Sequence, residues 1–403
     1  MALFTKKDTA ATDSKKAKPK KSVFREWFDA ALFAIVAATL IRTFFFEAYT
    51  IPSASMEGTM LIHDYLFVSK LAYGPRVPMT PLAIPLVHNS MPIFGGKSYS
   101  DAVKWGYHRL PGFGHIERND VVVFNGPDGD SAIAENPEKD YYQTCRVEGW
   151  STINSQFHVV THPVDKKENL IKRCVGMPGD VLEVKHAIVY INGAPNTLFP
   201  HAKQYYIVQT NGMPPMVDDN IQLIQRLNQT TYVYNLENCQ VDVIKKATNV
   251  VAANLYEGDT LGQVPNHPGN WVYPLDTVNF KWNRDNYGPM TIPKEGVTVN
   301  LTPQNIALYR RVIGNYEGNT LVEKDGKFII NGKEATSYTF KMDYYWMMGD
   351  NRHESLDSRY WGFVPIDHVV GKAWFVWLSY GPEGMIKDMR WKRLLRGIHT
   401  LEQ

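Results

Sequence analysis

The chain of 403 residues is long enough for one large or two ordinary domains, and its 44% hydrophobic and 12% aromatic residues suit a packed core. A net charge of +2 gives no indication of a nucleic-acid partner, although both ends of the chain hold an excess of basic residues. The three cysteines lack the paired spacing of a structural zinc site, so no metal site is predicted. Cys174 lies in an apolar run. Cys145 and Cys239 could form a disulfide if the domain is exported.

The N-terminal part of the chain has the pattern of a membrane anchor. Residues 1–21 contain many lysines and no large apolar cluster, so we expect a solvated basic tail. Residues 22–46 follow, with an apolar core long enough to cross a bilayer, and Asp29 and Arg42 lie towards its ends, where they can reach lipid headgroups. The positive-inside rule then places the tail in the cytoplasm and everything after residue 47 on the exported side.

Two alternatives stay open for this apolar segment. It could be a buried core helix, or it could be a cleavable signal peptide, because Ser53-Ala54-Ser55 is a small-x-small triplet of the kind found at cleavage sites. The triplet lies well past the apolar core, beyond the charged Glu47. This separation favours an anchor that is retained.

Beyond the anchor the pattern is mainly β. Runs of Val, Ile and aromatic residues between Gly, Pro, Asn and Asp predict strands at Tyr65–Val68, Val121–Phe124, Ile188–Ile191, Phe328–Ile330 and Ala373–Leu378. Polar stretches near 75–115, 126–165 and 200–290 are longer than ordinary loops, and we interpret them as insertions. The predicted fold is therefore a mainly β, antiparallel-sheet domain over 47–380 with large insertions, preceded by one transmembrane helix.

The chain contains one weak internal repeat. Residues 172–176 and 191–193 resemble residues 310–314 and 330–332, and both copies predict a strand, a turn and a hairpin. The alternative explanation is chance similarity between two β-hairpins. The second copy has arginine where the first has Lys172, and arginine does not release its proton in proteins, so only the first copy could supply a base.

The last segment, 381–403, mixes basic and apolar residues, most densely at 390–396. Two hypotheses stay open for it. Its Trp and Leu side chains could enter the outer membrane surface while Arg and Lys meet lipid phosphates. Alternatively, the segment packs on its own domain.

Three separated motifs carry the chemistry. A serine lies in Ile51–Met56 directly after the anchor, a lysine lies in Leu170–Arg173, and Gly349–Gly362 reads GDNRHESLDSRYWG. A serine alone is most often a cap or a turn residue, and a lysine alone is most often exposed. Together, however, the three motifs resemble the type I signal peptidase family, over about residues 24–74, 117–124, 170–193 and 346–378.

The resemblance implies a membrane-bound serine endopeptidase that removes signal peptides from exported precursors, cleaves after small residues and needs no cofactor. It would lie in the inner membrane as a single-pass protein. Ser55 is then the nucleophile and Lys172 the general base. Physical chemistry supports this pairing, because a serine hydroxyl needs a base, and lysine can serve only if burial lowers its pKa from about 10.4 towards neutrality.

The resemblance also implies supporting residues. Ser53 donates to the oxyanion hole beside the Ser55 N–H, and Ser355 orients Lys172 by a hydrogen bond. Asp357 and Arg359 match a structural ion pair. The residues that match the walls of two shallow substrate pockets are Tyr49, Ile51, Pro52, Met56, Leu170 and Ile171.

Three rival interpretations fit the sequence less well. His353 invites a Ser-His-Asp triad, but the matching family position does not depend on histidine. A penicillin-binding protein needs lysine three residues after the serine, where this chain has Gly58, and a tethered adhesin or assembly factor would need no catalytic pair at all. The chain departs from the family at Gly58-Thr59-Met60, where Pro-Thr-Leu is usual, at Asn119-Asp120, where Gly-Asp is usual, and in the size of the insertion at 200–290.

Overall fold

A computed structural model describes residues 22–91, 96–128, 131–135, 141–196, 198–215 and 221–402, so the predicted tail at 1–21 lies outside the described residues. The described α-helices are α1 Val23–Phe44, α2 Tyr141–Glu148, α3 Trp150–Gln156, α4 Asn238–Lys245, α5 Ile306–Arg311, α6 Ser358–Trp361 and α7 Ile398–Leu401. The described strands begin with β1 Phe46–Thr50, β2 Asp64–Ser69, β3 Val121–Asn125, β4 Ser131–Ile133, β5 Val159–Thr161, β6 Asn169–Gly176, β7 Val181–Lys185, β8 Ile188–Ile191, β9 Ala194–Pro195, β10 Lys203–Thr210, β11 Gln222–Arg226 and β12 Thr231–Glu237. They continue with β13 Val250–Leu255, β14 Tyr287–Thr291, β15 Thr298–Asn300, β16 Leu321–Lys324, β17 Lys327–Ile330, β18 Lys333–Ala335, β19 Ser337–Thr339, β20 Tyr344–Met348, β21 Val364–Pro365, β22 Val369–Ser379 and β23 Arg396–Gly397.

Helix α1 stands outside the β domain. It begins after Ser22, whose hydroxyl accepts a hydrogen bond from the N–H of Arg25, and none of its residues is buried. Its 22 residues span about 33 Å, which matches a bilayer core of about 30 Å, and its apolar window has a mean hydropathy of 1.5. The alternative of a buried core helix is therefore wrong, and the chain passes from α1 directly into β1.

An eight-stranded sheet forms the frame of the domain. Its strands lie in the order β1-β2-β22-β3-β6-β20-β21, with β23 added beside β22, and the paired strands run antiparallel. Each of the five strands predicted from runs of Val, Ile and aromatic residues lies within an observed strand, namely β2, β3, β8, β17 or β22. The prediction of a mainly β fold with one N-terminal apolar helix is confirmed.

Three hydrophobic cores hold this frame together, and one of them includes Phe124 of β3. The core beneath β1 and β2 includes Met56, Met60 and Leu66, all without exposed surface. A larger core surrounds Trp346 of β20. It joins the sheet to the hairpins that lie between β6 and β20 in the chain. Full burial of such a side chain contributes about 1.5–3 kcal/mol, so these contacts fix the strands from which the site residues project.

The stretches interpreted as insertions have different structures. The described part of 75–115 has only isolated β-bridges, such as that between Arg76 and Arg109. The described part of 126–165 holds the β4–β5 hairpin with α2 and α3, and Cys145 is buried there. Residues 200–290 contain a separate four-stranded sheet, β11-β12-β10-β13, with α4 packed on it. We call this last unit the third insertion.

The disulfide considered from the sequence is not formed. Cys145 lies in the small core of α2 and α3, whereas Cys239 is exposed at the start of α4. Cys174 is buried in β6, as its apolar surroundings predict.

The hairpins that the internal repeat predicts are confirmed in both copies. The strand that it predicts at 310–314, in the second copy, is wrong. Asn192-Gly193 and Asn331-Gly332 both have positive φ and form the tight turns of matching hairpins, β8–β9 and β17–β18. In contrast, Arg310 lies in helix α5 and not in a strand. The reason is periodicity, because Ile306, Tyr309 and Ile313 are buried at helical spacing and this pattern outweighs the β-branched pair at 312–313.

Candidate active site

Ser55 lies in a one-turn 3₁₀ helix, Ala54–Met56, which begins four residues after the end of β1. The turn is closed by a hydrogen bond from the Glu57 N–H to the Ala54 carbonyl at 2.9 Å, and Met56 is buried in the core below it. The Ser55 side chain is thus held at the end of an edge strand, facing β6.

Lys172 reaches Ser55 from the middle of β6. Its Nζ lies 2.7 Å from Ser55 Oγ and donates to the Ile171 carbonyl at 3.1 Å. Lys172 is only 5% exposed, and this burial lowers its pKa to about 8, although Asp357 and Asp350 act in the opposite direction. At pH 7 a lysine with that pKa is neutral in about a tenth of the molecules, whereas an ordinary lysine is almost wholly charged. The site therefore brings a serine hydroxyl into contact with a buried amine of lowered pKa.

The two other serines lie beside this pair in different ways. Ser53 Oγ lies 3.3 Å from Ser55 Oγ, on the exposed side of the turn. Ser355 is buried, but its hydroxyl donates to the Leu356 carbonyl at 3.4 Å, and no hydrogen bond to Lys172 is formed among the described residues. The orienting role of Ser355 and the oxyanion role of Ser53 stay predictions.

Gly349 allows the Ser355 loop to approach Ser55. A Cβ at this position would lie 2.3 Å from Ser355 Oγ and 2.4 Å from the Ser55 carbonyl oxygen, so only glycine fits. The N–H of Gly349 donates to Asp357 Oδ2 at 3.1 Å. Asp357 in turn forms a buried ion pair with Arg359 through two contacts of 2.8 Å. The loop around Ser55 is therefore tied to a rigid charged pair.

A second buried ion pair was not recognised from the sequence. Arg173, next to Lys172 on β6, binds both oxygens of Asp350 at 2.7 Å, and its Nη1 binds Glu402 at 2.7 Å. Thr59, in one of the segments that depart from the family, donates to Asp350 Oδ2 at 2.7 Å. The partners are far apart in the chain, so no local motif could have shown this network.

A groove with two open strand edges leads to Ser55. In the described structure β1 pairs only with β2, and the segment Asn169–Ile171 of β6 pairs only with β3. A small cavity of about 30 Å³ lies between them, and it is lined by Tyr49, Thr50, Ile51, Pro52, Val123, Asn169, Leu170 and Ile171. Five of the six predicted substrate residues line this cavity, while Met56 lies in the core instead.

His353 belongs to the contact between this site and the third insertion. Its Nδ1 accepts a hydrogen bond from the Tyr205 N–H at 3.1 Å, and its Nε2 lies 3.1 Å from a carboxylate oxygen of Asp285. The ring also stacks on Tyr205 with centroids 4.6 Å apart. Both ring nitrogens are therefore engaged by the insertion, which agrees with the rejection of a Ser-His-Asp triad.

A serine hydroxyl in contact with a buried lysine, beside open strand edges, is typical of a hydrolase that binds its peptide in extended form. A family model described as signal peptidase, peptidase S26, matches residues 24–256 and 272–378. The chain therefore belongs to the signal peptidase family, peptidase S26, and is a serine endopeptidase of that family.

Several curated relatives named signal peptidase I are similar to most of the chain. The relative from Buchnera aphidicola subsp. Schizaphis graminum is 26% identical over 355 residues, which cover 85% of this chain and 70% of the relative. That from Haemophilus influenzae is 23% identical over 380 residues, with 92% and 75% covered. That from Rickettsia akari is 24% identical over 369 residues, with 91% and 84% covered.

Proposed function

We propose that this protein removes N-terminal signal peptides from exported precursors, with Ser55 as nucleophile and Lys172 as general base. The observation that carries the proposal is the distance of 2.7 Å between Ser55 Oγ and the buried Lys172 Nζ. The names of the relatives and the family match support the substrate class.

In the first half of the reaction, Ser55 Oγ attacks the carbonyl carbon of the scissile bond and its proton passes to Lys172 Nζ. The Ser55 N–H and the Ser53 hydroxyl donate to the carbonyl oxygen as it becomes negative. When the intermediate collapses, the C–N bond breaks and Lys172 gives its proton to the leaving amine. The signal peptide is left as an ester on Ser55.

In the second half, water attacks the ester carbonyl and Lys172 accepts the proton of the water. The bond between the carbonyl carbon and Ser55 Oγ breaks, and the proton returns to the serine. The same lysine therefore acts as a base in each attack and as an acid in each departure. No metal or cofactor is needed for any step of this proposed cycle.

The groove accounts for cleavage after small residues. An extended precursor segment adds to the open edges of β1 and β6, which supply main-chain partners without regard to sequence. Its alternate side chains then point into the cavity of about 30 Å³ between Ile51 and Leu170. Since that space is small, large side chains next to the cut are excluded.

The membrane placement follows from α1 and from its direct connection to β1. The helix holds the protein in the inner membrane as a single span, with the N-terminal tail in the cytoplasm and the catalytic domain on the exported side. Cleavage of this chain at Ser53-Ala54-Ser55 would remove β1 from the sheet and Ser53 from the site, so the anchor is retained. The active site thus lies near the bilayer, where an anchored precursor presents its cleavage region.

The test is to incubate the detergent-solubilised protein with a purified precursor and to sequence the new N-terminus of the product. We expect one cut, after a small residue at the end of the signal peptide, and none with Ser55→Ala. Cleavage at scattered sites, or the same cut by Ser55→Ala, would contradict the proposal.

A further inference from the structure

A cluster of three metal-ligating side chains lies at the start of α4 in the third insertion. His201 Nδ1 lies 2.7 Å from Glu237 Oε2, and Cys239 Sγ lies 3.9 Å from that nitrogen and 3.5 Å from that oxygen. Across the described parts of the chain, no other group of three or more His, Cys, Asp or Glu side chains converges in this way. His201 lies in the turn before β10, Glu237 ends β12 and Cys239 lies in the first turn of α4, so the cysteine spacing in the sequence did not predict the group.

The three atoms fit the dimensions of a divalent ion. For a triangle with these edges, a point about 2 Å from all three atoms exists, and Zn²⁺ forms bonds of about 2.0–2.3 Å to nitrogen, oxygen and sulfur. A mixed set of imidazole, carboxylate and thiolate suits such a borderline ion, whereas Ca²⁺ and Mg²⁺ prefer oxygen alone. The His201 and Glu237 side chains are 37% and 23% exposed, which leaves room for water as a fourth ligand.

The backbone holds the ligand-bearing segments together without the ion. The N–H groups of Asn238 and Cys239 donate to the carbonyls of Ala202 and Pro200 at 3.0 Å and 2.8 Å. These two bonds continue the β10–β12 ladder, in which Lys203 pairs with Glu237. The ligands are therefore positioned in advance, and binding needs little reorganisation.

The segment that contains His201 and Lys203 packs against the loop that follows Ser55 and against Asp350. A Cβ on Gly58 would lie 2.0 Å from the His201 carbonyl oxygen, so the glycine that replaces the usual family proline permits this approach. Next to it, Lys203 pairs with Glu57 at 3.2 Å, and the Lys203 N–H donates to the Asp350 carbonyl at 2.9 Å. Whatever fixes His201 therefore also fixes the insertion against the loop that follows Ser55.

We propose that His201, Glu237 and Cys239 bind a borderline divalent ion of the Zn²⁺ type. The ion fastens the third insertion to Glu57 and Gly58, in the loop that follows Ser55. The ion takes no part in peptide cleavage. Its effect is to join the end of β12 to the strand segment that contacts Gly58 and Lys203, and this site is independent of the substrate proposed above.

The direct test is to titrate Zn²⁺ alone into the full-length protein in detergent, against a chromophoric chelator. We expect about one ion per chain, and we expect Cys239→Ser and His201→Ala each to weaken binding at least tenfold. The matched control is His186→Ala, because His186 forms an exposed pair with Glu257 at 2.8 Å and has no thiol beside it in the described structure. This control variant should bind Zn²⁺ as the wild type does.

A second measurement needs no variant. Cys239 is exposed while Cys145 and Cys174 are buried, so alkylation followed by mass spectrometry reports mainly on Cys239. Zn²⁺ should slow its alkylation at least tenfold, since a coordinated thiolate is blocked. The proposal would be overturned by an alkylation rate that Zn²⁺ does not change, by absent binding in the wild type, or by unchanged binding in Cys239→Ser.

Discussion

Lys172 owes its proposed role to its burial more than to its partners. Removal from water disfavours the charged ammonium, and this lowers the pKa to about 8 even though Asp357 and Asp350 favour the charge. The distance of 2.7 Å to Ser55 then makes the neutral amine useful as a base. An exposed lysine at the same distance would be protonated at neutral pH.

The pH dependence of cleavage follows from this pKa. The base must be neutral, and the neutral fraction of Lys172 grows as the pH rises through about 8, so kcat/KM should fall about tenfold per pH unit below that value. A pH profile of precursor cleavage measures this limb. The limb should stay in place in His353→Asn. Burial lowers the pKa of His353, so a limb on the acid side of the usual histidine range that disappears in this variant would instead assign the base to the histidine.

The buried pair of Arg173 and Asp350 should matter more to stability than any exposed pair. Asp350→Ala removes one of the two carboxylates that pair with the buried Arg173 and leaves only Glu402, and breaking a buried ion pair costs about 3–5 kcal/mol. The control is Glu323→Ala, which breaks the half-exposed pair with Arg310 and should cost less than about 1 kcal/mol. Denaturant unfolding in detergent measures both. Equal costs would show that the buried network does not hold the site together.

At the scale of elements, the third insertion packs against the loop that leads to Ser355. Asp285 lies 3.1 Å from His353 Nε2, and the side chain of Asn235 donates to Asn351 at 3.0 Å. The insertion therefore contacts the residues directly before Ser355. A unit that the sequence marked only as a long polar stretch is thus packed against the loop beside the site.

Loss of this contact should loosen the loop. We expect Asp285→Ala to raise amide hydrogen exchange in peptides that cover 350–355, because a buried hydrogen bond to His353 is removed. Glu334→Ala, which removes the exposed partner of Lys327, is the control and should leave that exchange unchanged. Equal exchange in Asp285→Ala and the wild type would mean that the insertion is only attached to the loop and does not support it.

The elements also show what could be predicted from the sequence. Strands such as β2 and β22 follow from alternating or continuous β-branched and aromatic runs, and Ser55 with Lys172 followed from motifs. The repeat predicts a strand at 310–314 because Val312 and Ile313 favour β structure locally, but burial at helical spacing makes α5 and the turn after it helical. The partners Asp285 and Glu402 could not be found, because only the folded chain brings them to His353 and Arg173.

At the scale of the whole molecule, the C-terminal segment packs on the domain and keeps an exposed apolar surface. Arg393 binds Asp64, and Ile398 is buried beneath β23 and β22. Trp391 and Leu395, in contrast, are each 70% exposed. The alternative of packing on its own domain therefore describes part of the segment, and contact of these two side chains with the outer membrane surface stays a prediction.

The proposed topology makes a prediction for the complete protein. Protease added to sealed inner-membrane vesicles with the cytoplasmic side inside should digest the domain after residue 47 and spare residues 1–21. The physical reason is the lysine-rich tail before α1, which is retained on the cytoplasmic side. Immunodetection of each end measures the outcome. A digested tail with a protected domain would reverse the orientation.

The central claim is that Ser55 and Lys172 act as one catalytic unit, and the most direct measurement is kcat/KM for precursor cleavage by the single and double alanine variants. Ser55→Ala, Lys172→Ala and the combined variant should each lose at least about a thousandfold, and the double variant should lose no more than either single change, because each loss disables the same step. Lys185→Ala, at an exposed lysine, should retain wild-type activity. Activity within tenfold of the wild type in either single variant, or losses that add in the double variant, would contradict the account.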